Sequence, residues 1–140
     1  RHNTYYAILA TRPGARAIVT DICVPISRLA EAVEDTRADI AASPITGPIL
    51  GHVGDGNFHA ILLIDPDNAA ERSAALRLSD QMVDRALRLG GTATGEHGVG
   101  MGKLKFMDQE HGPAWGLMGD LKRQLDPLNI LNPGKLVQQN

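Results

Sequence analysis

Gly51-His-Val-Gly-Asp-Gly-Asn-Phe-His59 reads as a β-hairpin that carries a histidine towards each end. Asp55-Gly56 is a turn signal, because a two-residue type I′ loop needs positive φ at both central positions. Counting outwards from that pair sets Gly54 opposite Asn57, Val53 opposite Phe58 and His52 opposite His59. Directly opposed residues share one face of a sheet, with Cβ atoms roughly 5 Å apart. Two imidazoles held in that way can grip one metal ion. They can equally be a partly buried, hydrogen-bonded pair, and the stretch alone leaves both readings open.

Working outwards, the hairpin strands run over about residues 49–53 and 58–64. Leu50, Ile61 and Leu63 fall on the histidine face; Val53, Phe58, Leu62 and Ile64 fall on the other, so both faces are expected to be covered. Residues 17–24 are rich in β-branched side chains and stop at Pro25, which predicts a strand with Cys23 as a small buried hydrophobe. Ser27 is a suitable N-cap for a helix that turns Leu29, Val33, Thr36 and Ile40 inwards. Glu31, Glu34, Asp35, Arg37 and Asp39 then form its solvated side. After the hairpin, Asn68 with Glu71 resembles a capping box. The helix it opens buries Ala75, Leu78, Met82, Ala86 and Leu89 and stops at Gly90-Gly91. Residues 92–94 suit a short edge strand.

Strand, helix, strand, strand, helix, strand is the βαββαβ order of a ferredoxin-like antiparallel sheet with helices on it, an α+β fold. Residues 1–10 read as the end of a helix with Tyr6, Leu9 and Ala10 at helical spacing. Gly112-Pro113 opens a last helix, with Trp115, Met118, Leu121 and Leu125 inward, as a C-terminal helical extension.

The 140 residues are 43% hydrophobic and 21% charged, enough for one domain with a real core. A formal net charge of −2 gives no electrostatic case for nucleic acid or an anionic membrane surface. One cysteine allows no internal disulfide. No apolar run approaches the roughly 20 residues that span a bilayer. Because the chain opens on Arg1 in dense, structured sequence, a fragment of a longer protein is expected.

Gly95-Glu96-His97-Gly98 is the second informative stretch. A loop this rich in glycine suits close backbone approach to something else. In extended geometry Glu96 and His97 point to opposite sides, so one can face a metal while the other faces a substrate. Zinc and manganese accept imidazole nitrogen and carboxylate oxygen. His52, His59 and Glu96 would then make a three-ligand set with open positions, and His97 a general base beside it. Alone, Glu96 and His97 are equally ordinary loop residues. The run Gly98–Gly102 lacks a phosphate-loop signature. Lys103, Lys105 and Lys135 read as surface lysines, and Asp55 and Asn57 as turn formers.

Three motifs occur here in order: Gly51 to His59, Gly95 to Gly98 with Lys103, and Asp126-Pro…Asn-Ile-Leu-Asn-Pro-Gly-Lys135. Together they closely resemble the C-terminal domain of FAD-linked oxidases of the vanillyl-alcohol-oxidase type, over essentially the whole chain. Arg1-His-Asn…Tyr-Tyr-Ala and Thr20-Asp-Ile-Cys-Val-Pro-Ile-Ser-Arg-Leu29 look most like the cytochrome-linked D-lactate dehydrogenase and glycolate oxidase branch. The resemblance implies that His52, His59 and Glu96 hold a divalent metal, zinc or manganese. It implies that His97 takes the substrate hydroxyl proton while hydride passes to FAD. Arg1 would clamp the substrate carboxylate, and Asn132 lies in a segment that in relatives returns towards the flavin domain, a cofactor-side role. Relatives acting on larger hydroxy diacids carry polar residues where this chain has Val19 and Ile61, so a small or apolar substrate side chain is expected.

The implied activity is FAD-dependent oxidation of a small 2-hydroxy acid, D-lactate or glycolate. Its electron acceptor would be cytochrome c, a quinone or another flavoprotein, and a homodimer is compatible with it. The implied place is the bacterial cytoplasm, peripheral to the membrane in some cases, or the mitochondrion in a eukaryote. The FAD-binding domain precedes this region in relatives, so these residues alone should not turn over. Two rivals stand beside this reading: a non-catalytic module that binds a metal or small acid, and a metal-dependent hydrolase with His97 as base.

Overall fold

The computed structural model describes residues 3–137; Arg1 lies outside them. Two compact units are present, Arg1–Gly95 and Glu96–Asn140. In chain order the first holds α1 (Thr4–Ala10), β1 (Arg16–Val19), β2 (Ile22–Cys23), α2 (Leu29–Ala41), β3 (Ile49–His52), β4 (Asn57–Ile64) and α3 (Ala69–Arg88). The second holds α4 (Met107–His111) and α5 (Pro113–Leu125).

β4 is the centre of the sheet. Every residue from Asn57 to Ile64 is buried. Along one edge it pairs antiparallel with β1, from Arg16↔Ile64 to Val19↔Ile61, and with β2, Ile22↔Phe58 and Cys23↔Asn57. Residue numbers of each pair add to the same total, so β1 and β2 are one line of strand interrupted at Thr20-Asp21. The other edge pairs with β3, from Ile49↔Ala60 to His52↔Asn57, and the ladder continues to Thr46↔Leu63. Cys23 also bridges Thr92. The spatial order is therefore the Thr92 segment, the β1–β2 line, β4, then β3. That is the order a βαββαβ unit requires, with two corrections. The expected strand over 17–24 is broken in the middle, and the expected edge strand at 92–94 is a single bridge.

The even-numbered side chains of β4 lean towards the helices: Leu62 and Ile40 of α2 both crowd the point where a Cβ on Gly47 would lie. Burying Phe58 and Leu62, 1% and 0% exposed, contributes about 1.5–3 kcal/mol each. α3 buries Ala74, Ala75, Leu78, Met82, Val83 and Ala86, a stripe close to the expected one, while Leu89 is only half-buried. Asn68 caps α3, accepting from the amides of Ala70 and Glu71 at 3.1 and 3.2 Å. Glu71 departs from the capping box. It accepts from the amide of Asp65 at 2.8 Å and takes both guanidinium arms of Arg12 at 2.8 and 2.9 Å. Its carboxyl is held below the ordinary range, chiefly by Arg12 and then by the Asp65 amide.

α2 begins after a tight turn over Ile26–Arg28, so Ser27 does not cap it. Its inward side is Ala32 and Thr36, with Leu29, Val33 and Ile40 half-buried. Asp35 and Asp39 are not merely solvated: both engage Arg85 of α3, which also donates to the Thr36 hydroxyl at 3.1 Å. In α1, Tyr6 and Ala10 are exposed, although the spacing put them inward.

The hairpin loop is longer than the two-residue turn. Val53–Asp55 form a short helical turn, and Gly56 follows at φ +75°. Two contacts from β2 and its flank hold this loop. Val24 donates its amide to the Gly56 carbonyl at 3.0 Å, and the Cys23 thiol donates to the Asp55 carbonyl at 3.2 Å. Burial, and then the Asp21 and Asp55 carboxylates, push the Cys23 thiol pKa up.

In the second unit, Gly112 and Pro113 open α5 as expected. Asp126 organises the irregular segment beyond that helix. It is buried, accepts from the amides of Ile130 and Leu131 at 3.0 and 2.9 Å, and pairs with Lys122. The Lys122 hydrogen bond is the largest of the effects that hold its carboxyl below the usual value. Trp115 is buried and donates to the Leu136 carbonyl at 3.0 Å. Leu121 and Leu125, expected inward, are 56% and 82% exposed. Helical spacing says which residues share a face, and not what that face packs on.

Two contacts of this fold can be tested by unfolding. Gly56→Ala forces positive φ on an alanine and puts its Cβ about 2.0 Å from the Val24 carbonyl oxygen. It should lower stability in denaturant unfolding by more than about 1 kcal/mol, whereas Gly54→Ala, with open space around its Cβ, should be close to neutral. Glu71→Gln should cost stability most at neutral pH. Because the folded Glu71 carboxyl is depressed from 4.5, its contribution is present above that value and lost as the pH falls through the folded pKa. The gap between wild type and variant should therefore close in acid unfolding curves; a gap independent of pH would contradict the pairing.

Candidate metal and active site

The pairing of β3 with β4 places Leu50, and not His52, opposite His59. The expected register is thus offset by two residues. Side chains alternate with a period of two, so an even offset leaves the face unchanged. His52 and His59 still share a face as diagonal neighbours, with ring centroids 6.4 Å apart and planes at 85°. His52 is half-buried, while His59 is 5% exposed.

A buried imidazole on a central strand needs polar partners, and the gap between β1 and β2 supplies them. Thr20 donates its amide to the Ala60 carbonyl at 3.0 Å, as a ladder residue should. The return bond is different: Ala60 donates to the Thr20 hydroxyl at 2.7 Å. That substitution releases the Thr20 carbonyl, which lies 2.9 Å from Nδ1 of His59. A carbonyl oxygen only accepts, so Nδ1 carries the hydrogen, and in the neutral ring Nε2 keeps the lone pair. The strand is interrupted where one carbonyl is diverted from the sheet to a side chain.

Asp21, 2% exposed, fills the other half of the gap. Its Oδ1 accepts from Asn57 Nδ2 at 2.8 Å and stands 3.7 Å from His59 Nδ1. Its Oδ2 accepts from the Thr94 hydroxyl at 2.9 Å and the Gly95 amide at 3.0 Å. Asn57 is a buried strand residue and not a turn former, held also by Nδ2 donating to the Ile22 carbonyl at 2.9 Å. Its Oδ1 is buried with no hydrogen-bond partner among the described residues.

Sequence reasoning missed Thr20 and Asp21. The available signal was the polar pair in the middle of the apolar run Ala17-Ile-Val-Thr-Asp-Ile-Cys-Val24.

Gly95 closes the first unit, and glycine is required there: a Cβ would lie 1.9 Å from Asn57 Nδ2 and 2.9 Å from Asp21 Oδ1. Glu96 follows one peptide bond later and opens the second unit. Within that unit Glu96 and His97 form a bend, not an extended pair. Glu96 Oε1 and His97 Nε2 lie 4.0 Å apart, with both side chains about half exposed. The side chains converge where extended geometry would have sent them to opposite sides.

The structure thus brings His52 and His59 together on a sheet face, and Glu96 and His97 together in the second unit. Asn132 stands at φ +48° in a terminal turn, where its carbonyl accepts from the Lys135 amide at 3.3 Å. It lines a cavity of about 550 Å³ in the second unit with Met118, Leu125, Leu131 and Val137. Val19 and Ile61 are directly opposed across β1 and β4, so both share the face of His59. Among the described residues no helix is long and apolar enough to cross a membrane.

Comparison with known proteins agrees with this architecture. Residues 1–136 match the model of the C-terminal domain of FAD linked oxidases. A probable mitochondrial D-lactate dehydrogenase of Danio rerio is 48% identical over 99% of this chain and 28% of its own length. A mitochondrial D-lactate dehydrogenase [cytochrome] of Arabidopsis thaliana is 44% identical over 98% of this chain and 24% of its own. A glycolate oxidase subunit of Bacillus subtilis is 34% identical over 97% and 29%. The chain spans about a quarter of the length of these relatives. With its sheet order, its paired histidines and this match from end to end, it belongs to the family of C-terminal domains of FAD-linked oxidases.

Proposed function

We propose that this chain is the substrate- and metal-binding domain of an FAD-dependent D-2-hydroxy-acid dehydrogenase, oxidising D-lactate or glycolate to the 2-oxo acid. The observation that carries the reading is the pair His52 and His59 on one sheet face. His59 is oriented by the Thr20 carbonyl so that Nε2 is the coordinating nitrogen. Glu96, tethered by a single peptide bond to the anchored Gly95, is the third ligand. Two imidazole nitrogens and one carboxylate oxygen are a donor set that suits zinc or manganese and leaves coordination positions open.

His52, His59 and Glu96 would hold a divalent cation that would make the substrate hydroxyl more acidic, and FAD would supply the hydride acceptor. His97 takes the hydroxyl proton on a ring nitrogen as general base. Proton to His97 and hydride to the flavin leave a carbon–oxygen double bond, so the product is the 2-oxo acid. Arg1, outside the described residues, clamps the substrate carboxylate with its two-armed guanidinium. Val19 and Ile61 make the wall beside His59 apolar, which suits the methyl group of lactate. Asn132 contributes on the flavin side.

Relatives named as cytochrome-linked D-lactate dehydrogenases support a cytochrome as the electron acceptor, ahead of a quinone or another flavoprotein. Their mitochondrial names support that compartment for a eukaryotic source.

The test uses the full-length protein that carries this chain. D-lactate should bleach its flavin absorbance. His52→Ala with His59→Ala should remove bound metal, and unchanged metal content would sink the ligand assignment. His97→Ala should keep the metal but slow flavin reduction by about 10²-fold or more; ester turnover without flavin would favour the hydrolase instead. Ile61→Asn should lower kcat/KM for D-lactate by about tenfold and improve the ratio for a hydroxy diacid. An unaltered ratio would remove Ile61 from the substrate wall.

A further inference from the structure

We infer that Asp21 is the positioning residue of this site. It is one buried carboxylate that holds Asn57 beside a hairpin histidine and, at the same time, the backbone leading to the Glu96-His97 pair. The inference rests on the reading of His52, His59 and Glu96 as metal ligands.

Contacts from two other places in the chain converge on Asp21. Asn57 and His59 belong to β4, two residues apart on one face. Thr94 and Gly95 belong to the segment that ends the first unit, and the next residue is Glu96. Asp21 itself belongs to the β1–β2 line. Oδ1 accepts from Asn57 and also lies where a Cβ on Gly95 would come, and Oδ2 accepts from Thr94 and Gly95. A shift of the carboxylate would therefore move both sides together.

The backbone register of the sheet has no need of an acid at this point. Residues before and after the gap keep one register on β4, so an apolar residue would continue the line without the cost of burying a carboxylate. What Asp21 provides is alignment. Its Gly95 contact also explains the bare backbone there, since the space a Cβ would need is already filled by Asn57 Nδ2 and Asp21 Oδ1. Asp21 touches neither substrate nor flavin in this scheme and acts through Asn57, beside His59, and through Gly95. Carboxylates in this supporting role typically set metal affinity by about 10- to 100-fold.

The test is Co(II) binding to the full-length protein, read by titration and by the visible absorption of bound Co(II). Asp21→Asn should weaken Co(II) binding by about 10- to 100-fold and alter the Co(II) spectrum, because His59 and the Glu96 backbone lose their common anchor. Thr94→Val, which removes one donor and keeps the carboxylate, should shift the spectrum in the same direction by less. Unchanged affinity and spectrum in Asp21→Asn, with binding lost in His59→Ala, would overturn the positioning role while leaving the metal site standing. Unchanged binding in both variants would remove the metal site and this inference with it. If Asp21→Asn does not fold, Thr94→Val decides: a shifted spectrum supports the role and an unshifted one overturns it.

Discussion

Hydrogen bonding along both edges of Asn57–Ile64, with every residue of that strand buried, is the constraint on which the first unit depends. A strand paired on both sides cannot slide without breaking two ladders, and a shift by one residue would exchange its faces. Phe58, Leu62 and Ile64 are therefore committed to one side, and Asn57, His59, Ile61 and Leu63 to the other. Two polar side chains on a buried strand are costly unless each finds partners. The neighbouring strand line meets that need by giving up two ladder residues, Thr20 and Asp21. Sheet regularity is sacrificed over two positions, and a fixed imidazole and a fixed amide are gained.

The exchange at Thr20 leaves neither of the two backbone groups it affects unbonded. The Ala60 amide is satisfied by the Thr20 hydroxyl, and the Thr20 carbonyl by His59. Serine could supply the same oxygen, but threonine's branched Cβ also suits the extended backbone at this point. Aspartate in the next position extends the network outwards to Thr94 and Gly95. The hairpin and the glycine-rich segment lie 36 residues apart between His59 and Gly95, yet both are held through adjacent residues of one strand line.

Much of this was legible in the sequence, and the features that were not share a common cause. Strand order, helix order and the shared face of His52 and His59 follow from periods of two and 3.6 and from caps such as Asn68, all of which are local signals. The turn was misread because Asp55-Gly56 is a good two-residue loop locally. Contacts from Cys23 and Val24, more than 30 residues earlier, hold a longer one. The face survived because the offset was even. Asp39 was assigned to solvent because its partner Arg85 lies 46 residues away. Asn57 looked like a turn former because its type favours turns, and only its bonds to Asp21 and Ile22 show why an amide is buried there. Leu121 and Leu125 sit at core spacing on α5 but are exposed, and no intrachain periodicity can reveal that.

The sheet face that carries His59 is apolar beside it. Val19 and Ile61 are a directly opposed pair, so their side chains stand side by side on the face that carries His59. Ile61 is 4% exposed and Val19 39% exposed, which leaves the wall apolar at its base and open towards Val19. A second carboxylate placed against that wall would give up water without gaining a cation or a donor, a cost of several kcal/mol. A methyl group or a hydrogen there gives up almost nothing. On the proposed reading, discrimination between a small hydroxy acid and a hydroxy diacid would need no change in the ligands or base. On that reading, the two opposed side chains beside the histidine would tilt it.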